Sequence, residues 1–204
     1  KRIPKKNIKL MNGKPLIAYT IELSLRCEYI DRTIVSTDDT IIANIAEEYG
    51  AEVLFRTKEL SGDSAPTEPV MLDVLNQLRE KKYDEAIGEF KNALKINSSN
   101  REVRLSLGLT YFEWKKYDKA IEEFLGLLEE NPINHEARYF LSSTYEEKKL
   151  YTSAVKEFKK IPIESDLYVS SQIHIGIILK RKDRIDNAIE LIRETIVKKK
   201  EASG

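Results

Sequence analysis

The spacing of apolar residues in the second half of the chain is typical of α-helices. From residue 101 onward, apolar side chains recur at positions i, i+3, i+4 and i+7, which places them on one helical face. Asn131-Pro132 ends one segment because proline cannot continue the helical ladder, and Asp118 and Asp186 lie where a carboxylate can cap a helix start. The pattern predicts six helices, at 101–114, 118–130, 135–148, 152–161, 168–181 and 185–199.

The first part of the chain mixes helical periodicity with short β-branched runs. It predicts a helix from Pro15 to about Glu28 after a turn at 12–14, and a second helix from Thr40 to Tyr49 that Gly50 ends. Residues 32–36 and 52–55 are the predicted strands. Helices that alternate with short buried strands indicate a parallel sheet with right-handed crossovers.

A sequence core recurs in the helical part at a fixed interval of 34 residues. Tyr83-Asp84-Glu85-Ala86-Ile87 returns at 117–121, 151–155 and 185–189. Four residues after each alanine stands a large apolar residue: Phe90, Phe124, Phe158 and Ile192. A repeat of this length is typical of stacked helical hairpins.

This pattern resembles the tetratricopeptide repeat. The second copy matches most fully, with Leu107-Gly108, Tyr111, Ala120, Phe124 and Pro132 at the family's spacings. The resemblance covers about residues 81–200 and implies a mainly α fold, an α–α superhelix of helical hairpins. We therefore predict an array of about four repeats over 79–204.

The resemblance also implies a partner groove on the concave face, lined by the first helix of each repeat. Its predicted residues are Leu105, Leu109, Phe112, Tyr139, Ser143, Ile173 and Ile177. Apolar and tyrosine side chains stand where some relatives place a carboxylate clamp, so an amphipathic or basic segment fits better. The alternative is that Leu105, Leu109, Ile173 and Ile177 pack against neighbouring helices. His135 and His174 lack a second ligand at metal spacing and are expected to be structural.

The N-terminal sequence resembles the acylneuraminate cytidylyltransferase family, the CMP-sialic acid synthetases. The motifs are the basic run at 1–9, Asn12-Gly13-Lys14-Pro15-Leu16 and Ile34-Val35-Ser36-Thr37-Asp38-Asp39, with further matches in 49–63. The resemblance covers about residues 1–78 and implies a truncated, Rossmann-like α/β region. Those enzymes join a sugar acid to the α-phosphate of CTP and release pyrophosphate with a divalent cation.

By the same resemblance, six residues are expected to contact the nucleotide: Lys1, Arg2, Lys6, Asn7, Arg56 and Thr67. The family's first strand and its glycine-containing phosphate loop would stand immediately before Lys1. Beyond residue 78 the family pattern gives way to the repeats, and no Asp-x-Asp pair follows. No catalytic residue and no metal ligand is therefore assigned, and Mg²⁺ is expected only if the transferase is active.

The junction lies in an amphipathic segment, Glu68 to about Glu80, which is predicted to be helical. The repeat period places the first helix of repeat one in this segment. However, Asp73, Val74 and Gln77 stand at the positions that Leu107, Gly108 and Tyr111 occupy 34 residues later. We interpret it as a borrowed helix that caps the array. A natural fusion and a recombined chimera both fit this join.

Composition narrows the functional classes. The chain has 34 basic and 34 acidic residues among 204, so its charge gives no reason to expect nucleic-acid binding. A single cysteine and the lack of a long apolar run predict a cytoplasmic protein without a membrane segment. The chain begins at Lys1 rather than Met, and the sequence leaves open whether residues precede Lys1.

Three functional hypotheses remain from the sequence. The first is a protein-interaction scaffold that carries an inactive cytidylyltransferase fragment. The second is a cytidylyltransferase that activates a sialic-acid-like sugar with CTP, and the third is nucleotide binding without chemistry.

Overall fold

The computed structural model describes residues 5–61 and 67–202. It divides into two compact units, Lys1–Lys81 and Lys82–Gly204. Each unit is considered separately below.

The N-terminal unit begins with a 3-10 helix, Lys6–Ile8, and a small antiparallel hairpin. Its strands are β1 (Leu10–Met11) and β2 (Lys14–Pro15). Asn12 and Gly13 have φ values of 52° and 78°, the left-handed conformation that a two-residue Asn-Gly turn requires. The sequence predicted only the turn here, because two-residue strands leave no alternating pattern.

A parallel strand pair follows, as predicted. Helix α1 (Leu16–Leu25) precedes β3 (Ile34–Thr37), and α2 (Thr40–Glu48) connects β3 to β4 (Glu52–Phe55). The register pairs each β3 residue with the one 18 positions later, from Ile34 with Glu52 to Thr37 with Phe55.

A small core holds these elements together. Ile21, Ala46 and Ala51 are buried in it, and half-buried apolar side chains from α1 and both strands pack around them. Asp39 caps α2 by accepting hydrogen bonds from the backbone amides of Ile41 and Ile42.

The junction differs from the prediction of a separate capping helix. Helix α3 runs without interruption from Thr67 to Ile96. Later hairpins turn at Lys115, Lys149 and Asp183, each with a φ near 60°, whereas Lys81, 34 residues before Lys115, stays helical.

The sequence of α3 explains the missing turn. Gln77 stands where Tyr111 fills the next hairpin, and Met71, Leu72 and Leu75 remain more than half exposed. With no small residue or aromatic ring to join two helices closely, folding back would bury little apolar area, and the straight helix persists. The first repeat therefore contributes one helical segment rather than a hairpin.

The array itself consists of three helical hairpins within the described residues. Their helices are α4 (Arg101–Glu113), α5 (Tyr117–Glu130), α6 (His135–Glu147), α7 (Tyr151–Phe158), α8 (Tyr168–Arg181) and α9 (Ile185–Glu201). All six predicted helices are confirmed within three residues at either end. Asn100 and Asn134 cap α4 and α6 through their side chains, whereas Asp118 and Asp186 lie inside the first turns of α5 and α9.

Close packing inside the hairpins depends on small residues, as the repeat pattern predicted. A Cβ on Gly108 would lie 2.6 Å from the Phe124 ring, which is fully buried. That distance is below any real contact, so only glycine lets α4 and α5 approach this closely. Around this contact lies one core cluster that extends from Ile87 to Leu141.

Candidate functional site

A pocket of about 340 Å³ opens among the first helices of successive repeats. Its floor and walls come from α4, α6 and α8. The lining residues are Phe112, Tyr139, Phe140, Ser143, Glu146, Glu147, His174, Ile177 and Arg181. Helical spacing explains the set, since Tyr139, Ser143 and Glu146 or Glu147 lie three or four residues apart on one face of α6.

Three side chains form a hydrogen-bonded chain across the pocket: Tyr139 and Glu146 of α6 both contact His174 of α8. Tyr139 Oη lies 3.0 Å from His174 Nε2, and His174 Nδ1 lies 2.6 Å from Glu146 Oε2. A neutral ring with its proton on Nδ1 satisfies both contacts, because Tyr139 then donates to Nε2 and Nδ1 donates to the carboxylate. Burial raises the pKa of the Tyr139 hydroxyl, and the negative charge of Glu146 raises it further. The hydroxyl therefore keeps the proton that it donates.

Packing holds the imidazole in place. The His174 ring stacks on the Phe158 ring at 5.1 Å between centroids and meets Tyr139 edge-on at 5.6 Å. Phe158 is fully buried in the core of the α6–α7 hairpin. The predicted structural role of His174 agrees with these contacts, but its imidazole also lines the pocket.

The charged groups of the pocket are unequal in exposure. Glu146 is only 5% exposed, and its second oxygen lies 3.4 Å from the half-exposed Arg181 guanidinium. Glu147 is exposed, and the Tyr117 hydroxyl reaches its carboxylate at 3.5 Å, the limit of a hydrogen bond. Two carboxylates, Glu146 and Glu147, and one guanidinium, Arg181, thus line the pocket, and Arg181 approaches only the first of these carboxylates among the residues described.

One polar atom in the pocket lacks a partner. Ser143 is 9% exposed, and its hydroxyl oxygen makes no hydrogen bond in the part of the chain that the structure describes. A buried hydroxyl without a partner is unfavourable, so a donor group that reached this atom would stabilise it.

The other predicted groove residues fall into two groups. Leu105 and Leu109 are half-buried against the core cluster, in line with the packing alternative. Ile173 and Ile177 are 47% and 38% exposed and border an apolar surface that α9 extends with Ile185 and Ile189. The predicted groove thus includes both core-facing and surface positions.

Sequence reasoning did not assign Phe140 and His174 to this surface. They stand 34 residues apart, each one position after a predicted groove residue, Tyr139 or Ile173. Their shared offset in the repeat was the signal that could have identified them.

The predicted nucleotide residues occupy several elements of the N-terminal unit. Lys6 and Asn7 are exposed in the 3-10 helix, which lies against α1 and α2. Thr67 is exposed at the first residue of α3. Lys1 and Arg2 lie outside the described residues.

Arg56 is placed where an anion site would be expected. It directly follows β4, and its backbone amide donates to the carbonyl of Thr37 at the end of β3. Its Nε is buried without a hydrogen-bond partner among the residues described, and the Ser36 hydroxyl on the neighbouring strand is in the same condition. Ligands of parallel α/β sheets bind at this carboxyl edge.

The described residues form neither a cluster of metal-ligating side chains nor a membrane-spanning helix. Across 5–61 and 67–202, no three or more His, Cys, Asp or Glu side chains cluster so that they could hold a metal. Within the same ranges, no helix combines the length and the apolar character that crossing a bilayer requires.

Comparison with known families agrees with the two sequence resemblances. Residues 1–90 match the cytidylyltransferase family, and residues 77–132 and 115–166 match tetratricopeptide repeat families. The chain therefore carries a cytidylyltransferase-type region in its N-terminal part and tetratricopeptide repeats in its C-terminal part.

Several curated relatives bear the names of cytidylyltransferases or synthases of sugar acids. A pseudaminic acid cytidylyltransferase of Campylobacter jejuni is 38% identical over 100 residues, 48% of this chain and 43% of that protein. A CMP-N,N'-diacetyllegionaminic acid synthase of Legionella pneumophila is 38% identical over 81 residues, 39% of this chain and 35% of that protein. An N-acylneuraminate cytidylyltransferase of Escherichia coli is 45% identical over 65 residues, 32% of this chain and 16% of that protein. The chain thus spans less than half the length of these relatives.

Solved structures match the helical fold. A crystal structure of MamA gives a TM-score of 0.51 at 24% identity, over 60% of this chain and 71% of that one. MamA 41-end from Desulfovibrio magneticus RS-1 gives 0.52 at 16% identity, over 91% of this chain and 96% of that one. The similarity shows the fold, a helical tetratricopeptide superhelix.

Proposed function

We propose that this chain, which joins part of a cytidylyltransferase to tetratricopeptide repeats, is a protein-interaction scaffold whose concave groove binds a basic, amphipathic segment of a partner. Tetratricopeptide arrays are in general protein-interaction modules. The observation that carries the proposal is the pocket among α4, α6 and α8, where exposed apolar atoms adjoin the carboxylates of Glu146 and Glu147.

Charge along the predicted concave positions supports a basic occupant. By the repeat resemblance, seven charged residues of the first helices also face the groove, five acids and two bases: Glu102, Glu113, Glu136, Glu146, Glu147, Lys180 and Arg181. The acids belong to α4 and α6, and the two bases stand at the end of α8. A cationic segment would be attracted to the α4–α6 side, while its apolar face could contact Ile173 and Ile177.

The proposal predicts selective binding of a basic amphipathic peptide. A labelled peptide of leucine and lysine, about four helical turns long, is titrated with the full chain by fluorescence anisotropy. We expect binding that weakens as salt is added, and at least about tenfold weaker binding of the matched leucine–glutamate peptide.

A charge-reversed variant provides the control for this experiment. Glu113 and Glu147 are both exposed, so the double change Glu113→Lys and Glu147→Lys should leave the fold intact and reverse the preference between the two peptides. Equal binding of both peptides, or a preference that the variant does not alter, would contradict the proposal.

Arg56 favours a second function, retained nucleotide binding in the N-terminal unit. Its buried, unpartnered Nε lies at the carboxyl edge of the parallel strands, where a guanidinium can pair with a phosphate. Lys6, Asn7 and Thr67 are the further candidate contacts, by their match to the family. The full transferase reaction on CTP and a sialic-acid-like sugar remains the alternative. No group of three or more His, Cys, Asp or Glu side chains forms among the described residues, and no step through a metal is assigned.

Nucleotide binding predicts that CTP stabilises the N-terminal unit. At CTP concentrations about 100-fold above the dissociation constant, the gain is about 2.7 kcal/mol, which thermal unfolding detects. Arg56→Ala should abolish the shift, whereas Arg26→Ala, a change at the exposed end of α1, should keep it.

Two outcomes separate the readings of that experiment. No CTP-dependent shift in the unsubstituted chain rejects the binding function. Pyrophosphate release from CTP and a nonulosonic acid, in the presence of Mg²⁺, would replace simple binding by the transferase reaction.

A further inference from the structure

We infer that the pocket between α6 and α8 binds a single lysine or arginine side chain of the partner, so that it acts as the specificity pocket of the groove. This inference rests on the proposed function. It goes further, because it assigns a defined subsite and a side-chain chemistry to one place on the concave face.

The size and walls of the pocket suit a long side chain with a charged end. Its volume of about 340 Å³ lies at the low end of the range for ligand pockets, about 300–1,000 Å³. Phe112, Phe140 and Ile177 provide apolar walls for a methylene stem. The faces of the aromatic rings also attract a cation, so a side chain with a charged end gains more from these walls than a neutral side chain does.

The charged and polar groups of the pocket match an ammonium or guanidinium group. The Glu147 carboxylate is exposed and, among the residues described, receives only the long contact from Tyr117, so it can pair with an incoming cation. Glu146 cannot turn away, because His174 holds one oxygen at 2.6 Å and Arg181 approaches the other at 3.4 Å. Its negative charge therefore stays fixed beside the pocket.

Ser143 is a second and independent indication of a ligand. It lines the pocket, is nine-tenths buried, and has no hydrogen-bond partner within the described parts of the chain. A cationic N–H group can donate to this oxygen, and hydrogen bonds that involve a charged group are the strong ones. An acidic occupant would instead face two carboxylates.

The equivalent positions of the neighbouring repeats lack this combination. Glu146 is replaced by Phe112 one repeat earlier and by Lys180 one repeat later, and Ser143 by Leu109 and Ile177. The central repeat is therefore the one that can hold the cation, which would set the register of the bound segment.

The test compares two peptides that differ at one residue. The host is an amphipathic helix of leucine and glutamine, with either lysine or norleucine at its centre. Binding of the full chain is measured by fluorescence anisotropy, and we expect the lysine peptide to bind about tenfold more tightly.

Substitutions then locate the effect. Glu147→Gln should reduce the ratio of the two affinities by at least about threefold, while Glu136→Gln should leave it unchanged, because Glu136 is a concave acid outside the pocket. Ser143→Ala, which removes only the hydroxyl, should also reduce the ratio of the two affinities. Because Glu147 is exposed, its variant tests the pocket without disturbing the core.

Each outcome decides between the pocket and the groove. Equal binding of the lysine and norleucine peptides overturns the pocket while leaving the groove proposal standing. A lysine preference that survives both Glu147→Gln and Ser143→Ala overturns it as well. If neither peptide binds, and the leucine–lysine peptide also fails, both proposals are wrong.

Discussion

Replacing Phe124 by alanine should lower the free energy of unfolding of the array by about 4 kcal/mol. The ring is fully buried, stacks on Phe140 at 6.1 Å between centroids, and fills the space against Gly108. Its removal leaves a cavity between α4 and α5 that neighbouring side chains cannot fill. Urea unfolding followed by far-UV circular dichroism measures the change.

Leu125 provides the matched control for Phe124. It is the next residue of α5 and is 41% exposed, so Leu125→Ala removes little buried area. We expect a loss below about 1 kcal/mol. Equal losses at the two positions would show that the α4–α5 packing described above is wrong.

Replacing Arg138 by methionine should destabilise the array by about 3 kcal/mol. The guanidinium is almost buried and pairs with Glu157 at 2.6 Å, while a second nitrogen donates to the carbonyl of Pro132. Methionine keeps the length of the side chain but removes the partner of one Glu157 oxygen, while the other oxygen keeps its pair with Lys160 at 2.7 Å. The loss comes from the two hydrogen bonds of the guanidinium, to that oxygen and to the Pro132 carbonyl.

The preceding repeat contains the control for Arg138. Arg104 stands 34 residues earlier, is 25% exposed and contacts Glu130 at 3.6 Å. Arg104→Met should therefore cost below about 1 kcal/mol. The double variant Arg138→Met with Glu157→Leu should recover part of the stability that Arg138→Met loses, because the carboxylate oxygen that lost its partner is removed as well. A double variant less stable than Arg138→Met alone would contradict this account.

The regular parts of the fold could be predicted from the sequence because the signal repeats. Six helices of the array follow a 34-residue period, so each boundary was indicated several times, and the β4 bounds at Glu52–Phe55 were predicted without error. The continuity of α3 was not predicted. The 34-residue period indicated a hairpin here, but Gln77 in the slot of Tyr111 removes the apolar burial that would fold the helix back.

Only part of the candidate site could be predicted from the sequence. Phe112, Tyr139, Ser143 and Ile177 were predicted on the concave face, and the structure brings them to one pocket. The hydrogen bonds within this pocket could not be predicted from the spacing of residues. His174 contacts Glu146 and Tyr139, which lie 28 and 35 residues earlier in the chain. Pairing across that separation depends on how α8 packs on α6.

Peptide binding in the concave groove is tested most directly by an isoleucine methyl NMR titration of the full chain with the leucine–lysine peptide. We expect the methyl signals of Ile173 and Ile177, both exposed on the concave face, to shift during the titration. Those of Ile133, 75% exposed between α5 and α6, and of the buried Ile161 should not move. Shifts at Ile133, with unchanged signals for Ile173 and Ile177, would contradict binding in the groove.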